Sequence, residues 1–176
     1  MRKFKYILLA LLLPVLVFQL ASCKMSKANL YNKWKNGSSE NLPKAHVFEE
    51  ISVGDLIGKV QGQKEGETLY VFFGTPTQSA SQTAIGIYNE QAIQYQIDKV
   101  YWLNSNLSDK DKKKLSADEG GILRVNDPEY APAIFVFEDG VLRFDSTLAK
   151  YKNDTTKYTT IKLAEIAFKG LYNEEN

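Results

Sequence analysis

From His46 onward the chain alternates between two hydrophobic periods. His46 to Ile51 is a short strand-like run, and Ser52 stands where it can cap a helix carrying Val53, Leu56, Ile57 and Val60 on one side. Gly62 to Glu67 is a polar turn. Thr68-Leu69-Tyr70-Val71-Phe72-Phe73 is almost wholly apolar, β-branched and aromatic, the composition of a strand buried on both faces. Gly74 to Thr77 breaks that run, and the pattern predicts a helix over Gln78 to Gln94, a second buried strand over Asp98 to Leu103, and a short charged helix over Ser108 to Leu115 that ends before Gly120-Gly121. Ala133 to Phe137 is another apolar run. Asp139-Gly140 is a hairpin signal, Val141 to Asp145 alternates as an edge strand does, and Thr159 to Tyr172 has a broad apolar helical face. Strand, helix, strand, helix, strand, helix, hairpin, helix implies an α/β fold. Its sheet is central and mixed, flanked by helices, and ends in a C-terminal β-hairpin and helix.

The first residues follow a different logic. Arg2, Lys3 and Lys5 precede an apolar stretch from Tyr6 to Phe18, and the small residues Ala21 and Ser22 precede Cys23. The apolar stretch is shorter than the roughly 20 residues of a comfortable membrane span. Leu20-Ala21-Ser22-Cys23 resembles the lipobox of bacterial lipoproteins. That resemblance implies diacylglyceryl attachment to the Cys23 sulfur, cleavage before it, and a lipid-anchored protein on the extracytoplasmic face of the cell membrane; two acyl chains hold such an anchor stably where one does not. The expected organisation is a signal peptide over 1–22, a flexible polar tether over 23–44 in which Trp34 could instead pack on the domain, and a folded domain over 45–176.

Charge and sulfur content then narrow the function. Without residues 1–22 the chain carries 19 Lys and Arg against 21 Asp and Glu, which argues against a nucleic-acid partner. Cys23 is the only cysteine, so no disulfide pair exists. His46 is the only histidine; it lies near no Gly-x-Ser-x-Gly elbow, and one histidine with an acylated cysteine offers no zinc site. No metal and no cofactor is expected. The Asp109 to Lys114 charge run reads as a solvated helix face, and Asp118, Glu119, Asp127 and Glu129 lack the spacing of a calcium loop.

Tyr70-Val71-Phe72-Phe73-Gly74-Thr75-Pro76-Thr77, Ala131-Pro132-Ala133 and Phe137-Glu138-Asp139-Gly140, in this element order, resemble the thioredoxin superfamily over about His46 to Tyr172. Gly74-Thr75-Pro76-Thr77 is most similar to the exported Gram-positive bacteriocin transport accessory proteins, in which Pro-Thr is followed by Cys-x-x-Cys and Gln. Here those slots read Gln78-Ser79-Ala80-Ser81-Gln82. Gln78 stands in place of the attacking thiol and Ser81 in place of the resolving one, and Phe72 falls near the position of the family's buried acid. An amide and a hydroxyl cannot carry out thiol–disulfide exchange, so the expectation is a non-enzyme. The resemblance implies that Pro132 is cis and that Ala131 can pair with an extended peptide, with Thr77, Gln78 and Ser81 lining the groove. The expected partner is an exported peptide or envelope protein, with a role in bacteriocin or peptide export as one setting, and Gln78→Ala is expected to weaken its binding. The alternatives are a disulfide oxidoreductase-related enzyme and a purely structural envelope lipoprotein.

Overall fold

The computed structural model describes residues 27–36, 39–117, 120–123 and 130–173. The signal segment 1–22, Cys23, and the acidic residues Asp118, Glu119, Asp127 and Glu129 lie outside the described residues. In chain order the elements are α1 (27–34), the two-stranded ribbon β1 (Lys35–Asn36) and β2 (Ser39–Glu40), β3 (Phe48–Glu50), α2 (Val53–Gln61), β4 (Thr68–Gly74), α3 (Ser79–Gln94), β5 (Val100–Asn104), α4 (Asp109–Leu115), β6 (Ala133–Glu138), β7 (Val141–Asp145), α5 (Ala149–Lys152) and α6 (Thr160–Lys169).

Five strands form one mixed sheet in the order β3-β5-β4-β6-β7. β3 and β4 run parallel to β5 on either side of it, while β6 is antiparallel to both β4 and β7. β4 is central, and its alternation decides which residue meets which layer. Leu69, Val71 and Phe73 face the layer that holds Leu56 and Val60 of α2 and Leu115 of α4; Phe72 faces the layer of α3 and α6. An apolar residue is therefore needed at nearly every β4 position, which is why the segment reads as a continuous hydrophobic run. Ser52 caps α2 by accepting from the Asp55 N–H, Ser108 caps α4 by accepting from Asp111, and Thr159 caps α6 by accepting from Lys162. α6 ends at Gly170, whose φ of 70° is the left-handed conformation that glycine adopts without steric cost.

The structure corrects the tether over its described part. Leu30 and Trp34 of α1, with Leu42, are 2%, 1% and 1% exposed and belong to the same core as Phe72, Tyr88 and Trp102. The Trp34 ring lies 5.3 Å from that of Trp102, edge to face, and 5.9 Å from that of Phe72. Three apolar side chains scattered through a polar sequence give little periodic signal, yet they close the Phe48, Phe72 and Trp102 side of the sheet. Folded structure thus begins by residue 27, not 45. His46 stands just ahead of β3. It is buried, its Nε2 lies 3.0 Å from the Lys27 carbonyl oxygen, and the Lys27 ammonium donates to the His46 carbonyl at 3.0 Å. A carbonyl only accepts, so Nε2 carries the proton. Nδ1 has no partner among the described residues, and burial holds the imidazole below its ordinary pKa.

Candidate functional site

β4 ends at Gly74, and the chain turns through Thr75, Pro76 and Thr77 into α3. Opposite this turn, the Ala131–Pro132 peptide bond is cis and leads directly into β6. β4 and β6 are hydrogen-bonded neighbours with Phe73 opposite Ala133, so the start of α3 and the start of β6 share one end of the sheet. The architecture alone brings Gln78 and Ala131 together although 53 residues separate them in sequence.

Gln78 is the N-cap residue of α3, but its side chain makes no capping bond. It crosses to the other segment instead. Gln78 Nε2 donates to the Ala131 carbonyl at 3.2 Å, and the Ser81 hydroxyl donates to Gln78 Oε1 at 2.6 Å. The orientation of the amide follows from chemistry: Ala131 can only accept at its carbonyl, so the NH2 end must face it and the oxygen must face Ser81. Ser81 is wholly buried and Ala131 nearly so, whereas Gln78 is half-buried and Thr77 is exposed. The Thr77 hydroxyl lies 3.1 Å from that of Thr75. Of the expected groove residues, Thr77, Gln78, Ala131 and Pro132 reach the surface in some measure. Ser81 lies beneath Gln78 and lines nothing open.

The floor of the site explains the burial of Ser81. Phe72 is fully buried, and a Cβ on Gly74 would meet its Cζ at 2.7 Å and Ser81 Oγ at 3.1 Å. Gly74 is required here by close approach rather than by a turn. Its carbonyl accepts two donors, Trp102 Nε1 at 2.9 Å and the Ser105 N–H at 3.1 Å. Gln82 Nε2 donates to the Pro76 carbonyl at 2.6 Å and holds the turn against the helix. From sequence, Gly74 reads only as a strand breaker and Gln82 only as a matched slot of the resemblance, and Trp102 has no role. For Trp102 the signal was present, since a buried indole N–H takes an acceptor.

Chemically the site is made of amides, hydroxyls and a cis prolyl bond. Thr75, Thr77, Gln78, Ser81, Gln82, Ala131 and Pro132 include no group that titrates near neutral pH. The Ser81 hydroxyl donates to an amide oxygen, which is not a base. A separate cleft of about 880 Å³ lies at the opposite end of β4, lined by Gly54, Gly58, Lys59, Lys99 and Tyr101 among others. It shares no residue with this site. Among the described residues there is no cluster of three or more metal-ligating side chains, and no helix is long and apolar enough to cross a membrane.

No protein-family model, no curated protein and no solved structure matches this chain.

Proposed function

We propose that this chain is a membrane-anchored extracytoplasmic protein with a thioredoxin-like domain that lacks redox cysteines, and that it binds an exported peptide or envelope protein in extended form across Gln78 and Ala131. The sheet order β3-β5-β4-β6-β7, the helix springing from the end of β4 and the cis bond before β6 support the superfamily reading. Cys23 at the end of an apolar N-terminal segment supports the lipid anchor. The single observation that carries the function is the bridge from Ser81 through the Gln78 amide to the Ala131 carbonyl. A primary amide occupies the acceptor that a bound peptide N–H would use. An incoming strand replaces one amide donor with another, so exchange costs little, and pairing with the main chain requires no particular ligand sequence. With no thiol in the domain, the site grips without exchanging electrons. A role beside a peptide exporter, as in bacteriocin transport, is the setting that the resemblance favours.

The geometry also alters the expected effect of Gln78. Its side chain competes with a peptide for Ala131, so Gln78→Ala strengthens ligand pairing rather than weakening it. Nuclear magnetic resonance titration of the isotopically labelled domain with random extended peptides tests the reading. The Gln78 side-chain amide and the Ala131 region shift together on binding; shifts confined to other surfaces, or none, overturn it. Insulin reduction above the buffer blank would overturn the redox-inactive assignment. One observation favours a second reading, a structural envelope lipoprotein with no groove ligand: the Ala131 carbonyl is already satisfied within the chain. On that reading Gln78→Ala changes stability and exposes no binding.

A further inference from the structure

We propose that the face formed by α1 and the segment around Lys44 lies directly against an anionic lipid surface, so that the domain rests on the membrane instead of hanging from it. The inference rests on the lipid-anchor reading of Cys23 and adds an orientation to it.

Covalent reach sets the first constraint. Four peptide steps separate Cys23 from residue 27, the first described residue of α1. Fully extended, they span about 14 Å. A domain of this size has a radius of gyration of about 15 Å, so its diameter is well over twice the leash. The face that carries residue 27 must therefore turn toward the bilayer. The leash cannot lengthen by unwinding α1, because Leu30 and Trp34 are built into the core.

Charge supplies an independent argument. Residues 24–47 carry five lysines and one carboxylate, while residues 48–176 carry fourteen Lys and Arg against twenty Asp and Glu. The sequence is thus polarised toward a cationic end at the anchor; Lys33 is paired with Glu50 at 2.6 Å, and the exposed Lys35 and Lys44 carry the charge of that face. Lys44 stands 5.8 Å from the Tyr31 ring centroid. Lys27, Ala28, Tyr31, Asn32 and Lys44 surround a shallow, mainly apolar hollow of about 360 Å³. Cations around an apolar dip suit phospholipid headgroups, where each lysine near an anionic surface contributes about 1 kcal/mol. The acidic remainder is repelled by the same surface and turned outward.

The test uses the acylated chain in phosphatidylcholine vesicles with and without phosphatidylglycerol. With Cys23 acylated, an introduced cysteine is the only free thiol, so a donor dye can be placed at Asn32→Cys on α1 or at Lys113→Cys on α4, across the sheet. Energy transfer to a headgroup-labelled lipid is expected to be strong from position 32 and weak from position 113. A long glycine–serine spacer inserted after Cys23 should lower transfer from position 32 in neutral vesicles and leave it high in anionic ones. In that spacer variant, Lys35→Gln and Lys44→Gln each lower the surface-bound population ratio about five-fold. Equal transfer from positions 32 and 113 on an acylated chain overturns the orientation alone. Absence of acyl mass on Cys23 in mass spectrometry overturns the anchor reading and this proposal with it. Transfer between copies labelled at position 32 that exceeds transfer to lipid assigns the face to a second copy and also overturns the proposal.

Discussion

Replacing Trp34 with alanine should destabilise the domain as a core mutation does, although the residue lies in a stretch whose sequence reads as a linker. The side chain is 1% exposed and touches the rings of Phe72 and Trp102. An indole buries roughly 150–250 Å², which at about 25 cal/mol per Å² sets an upper bound of about 4–6 kcal/mol. Measured Trp→Ala costs of about 3–5 kcal/mol agree with that bound. A domain of this size loses about 2–4 °C of Tm per kcal/mol, so the midpoint should fall by about 6–20 °C. Trp34→Phe should cost much less. It keeps most of the apolar contact and removes a buried Nε1–H that has no partner among the described residues, relieving a penalty of about 1–3 kcal/mol. Urea denaturation followed by circular dichroism and by Trp102, the one tryptophan left in these variants, measures both changes. A Trp34→Ala effect within about 0.5 kcal/mol, the range of an ordinary surface substitution, would show that α1 is not part of the core and would restore the tether.

Three further outcomes follow from named contacts. Gln78→Ala removes the donor to Ala131 and the acceptor of Ser81; it should cost about 1–3 kcal/mol in urea midpoints while tightening extended-peptide binding several-fold in fluorescence titrations. Gly74→Ala forces a Cβ against the buried Phe72 ring and Ser81, and thermal melts should show a loss of about 1–3 kcal/mol. His46 has a depressed pKa through burial, so the unfolded chain binds its proton more readily than the folded one. Stability from this group is therefore complete above about pH 6.5 and declines as the pH falls from there toward the folded value. Comparing the pH slope of wild type and His46→Asn by urea titration isolates it, and equal slopes would contradict the buried neutral imidazole.

The elements that could be read from sequence are those whose side chains obey one period throughout. β4 is apolar at nearly every position because both of its faces are covered, and α6 keeps its stripe because only one face is. The cap at Ser52 is local chemistry and was equally legible, whereas Ser108 and Thr159, read as the first residues of their helices, are their caps. α1 was not legible, since its anchoring depends on Leu30 and Trp34 meeting aromatic rings from β3, β4 and β5, which no local pattern encodes. α3 tells the same story at the site. Its sequence marks where the helix begins, but the turn of the Gln78 amide away from a capping role toward Ala131 is a tertiary fact. The resemblance put Thr77, Gln78, Ser81, Ala131 and Pro132 in one groove; Gln78 and Ala131 do meet, but Ser81 is buried beneath Gln78 and donates to its amide oxygen.

The central claim is that the surface over Gln78 and Ala131 receives an extended chain outside the membrane. Thr77 is exposed beside Gln78, so a photo-reactive amino acid there leaves the Ser81–Gln78–Ala131 bridge intact. Irradiating whole cells that carry the probe at Thr77, and cells that carry it at Lys113 on α4, compares the site with a distant surface. The account predicts a discrete peptide or envelope-protein adduct from position 77, competed by added extended peptide, and none from position 113. The same adducts from both positions, or none from position 77, would contradict it.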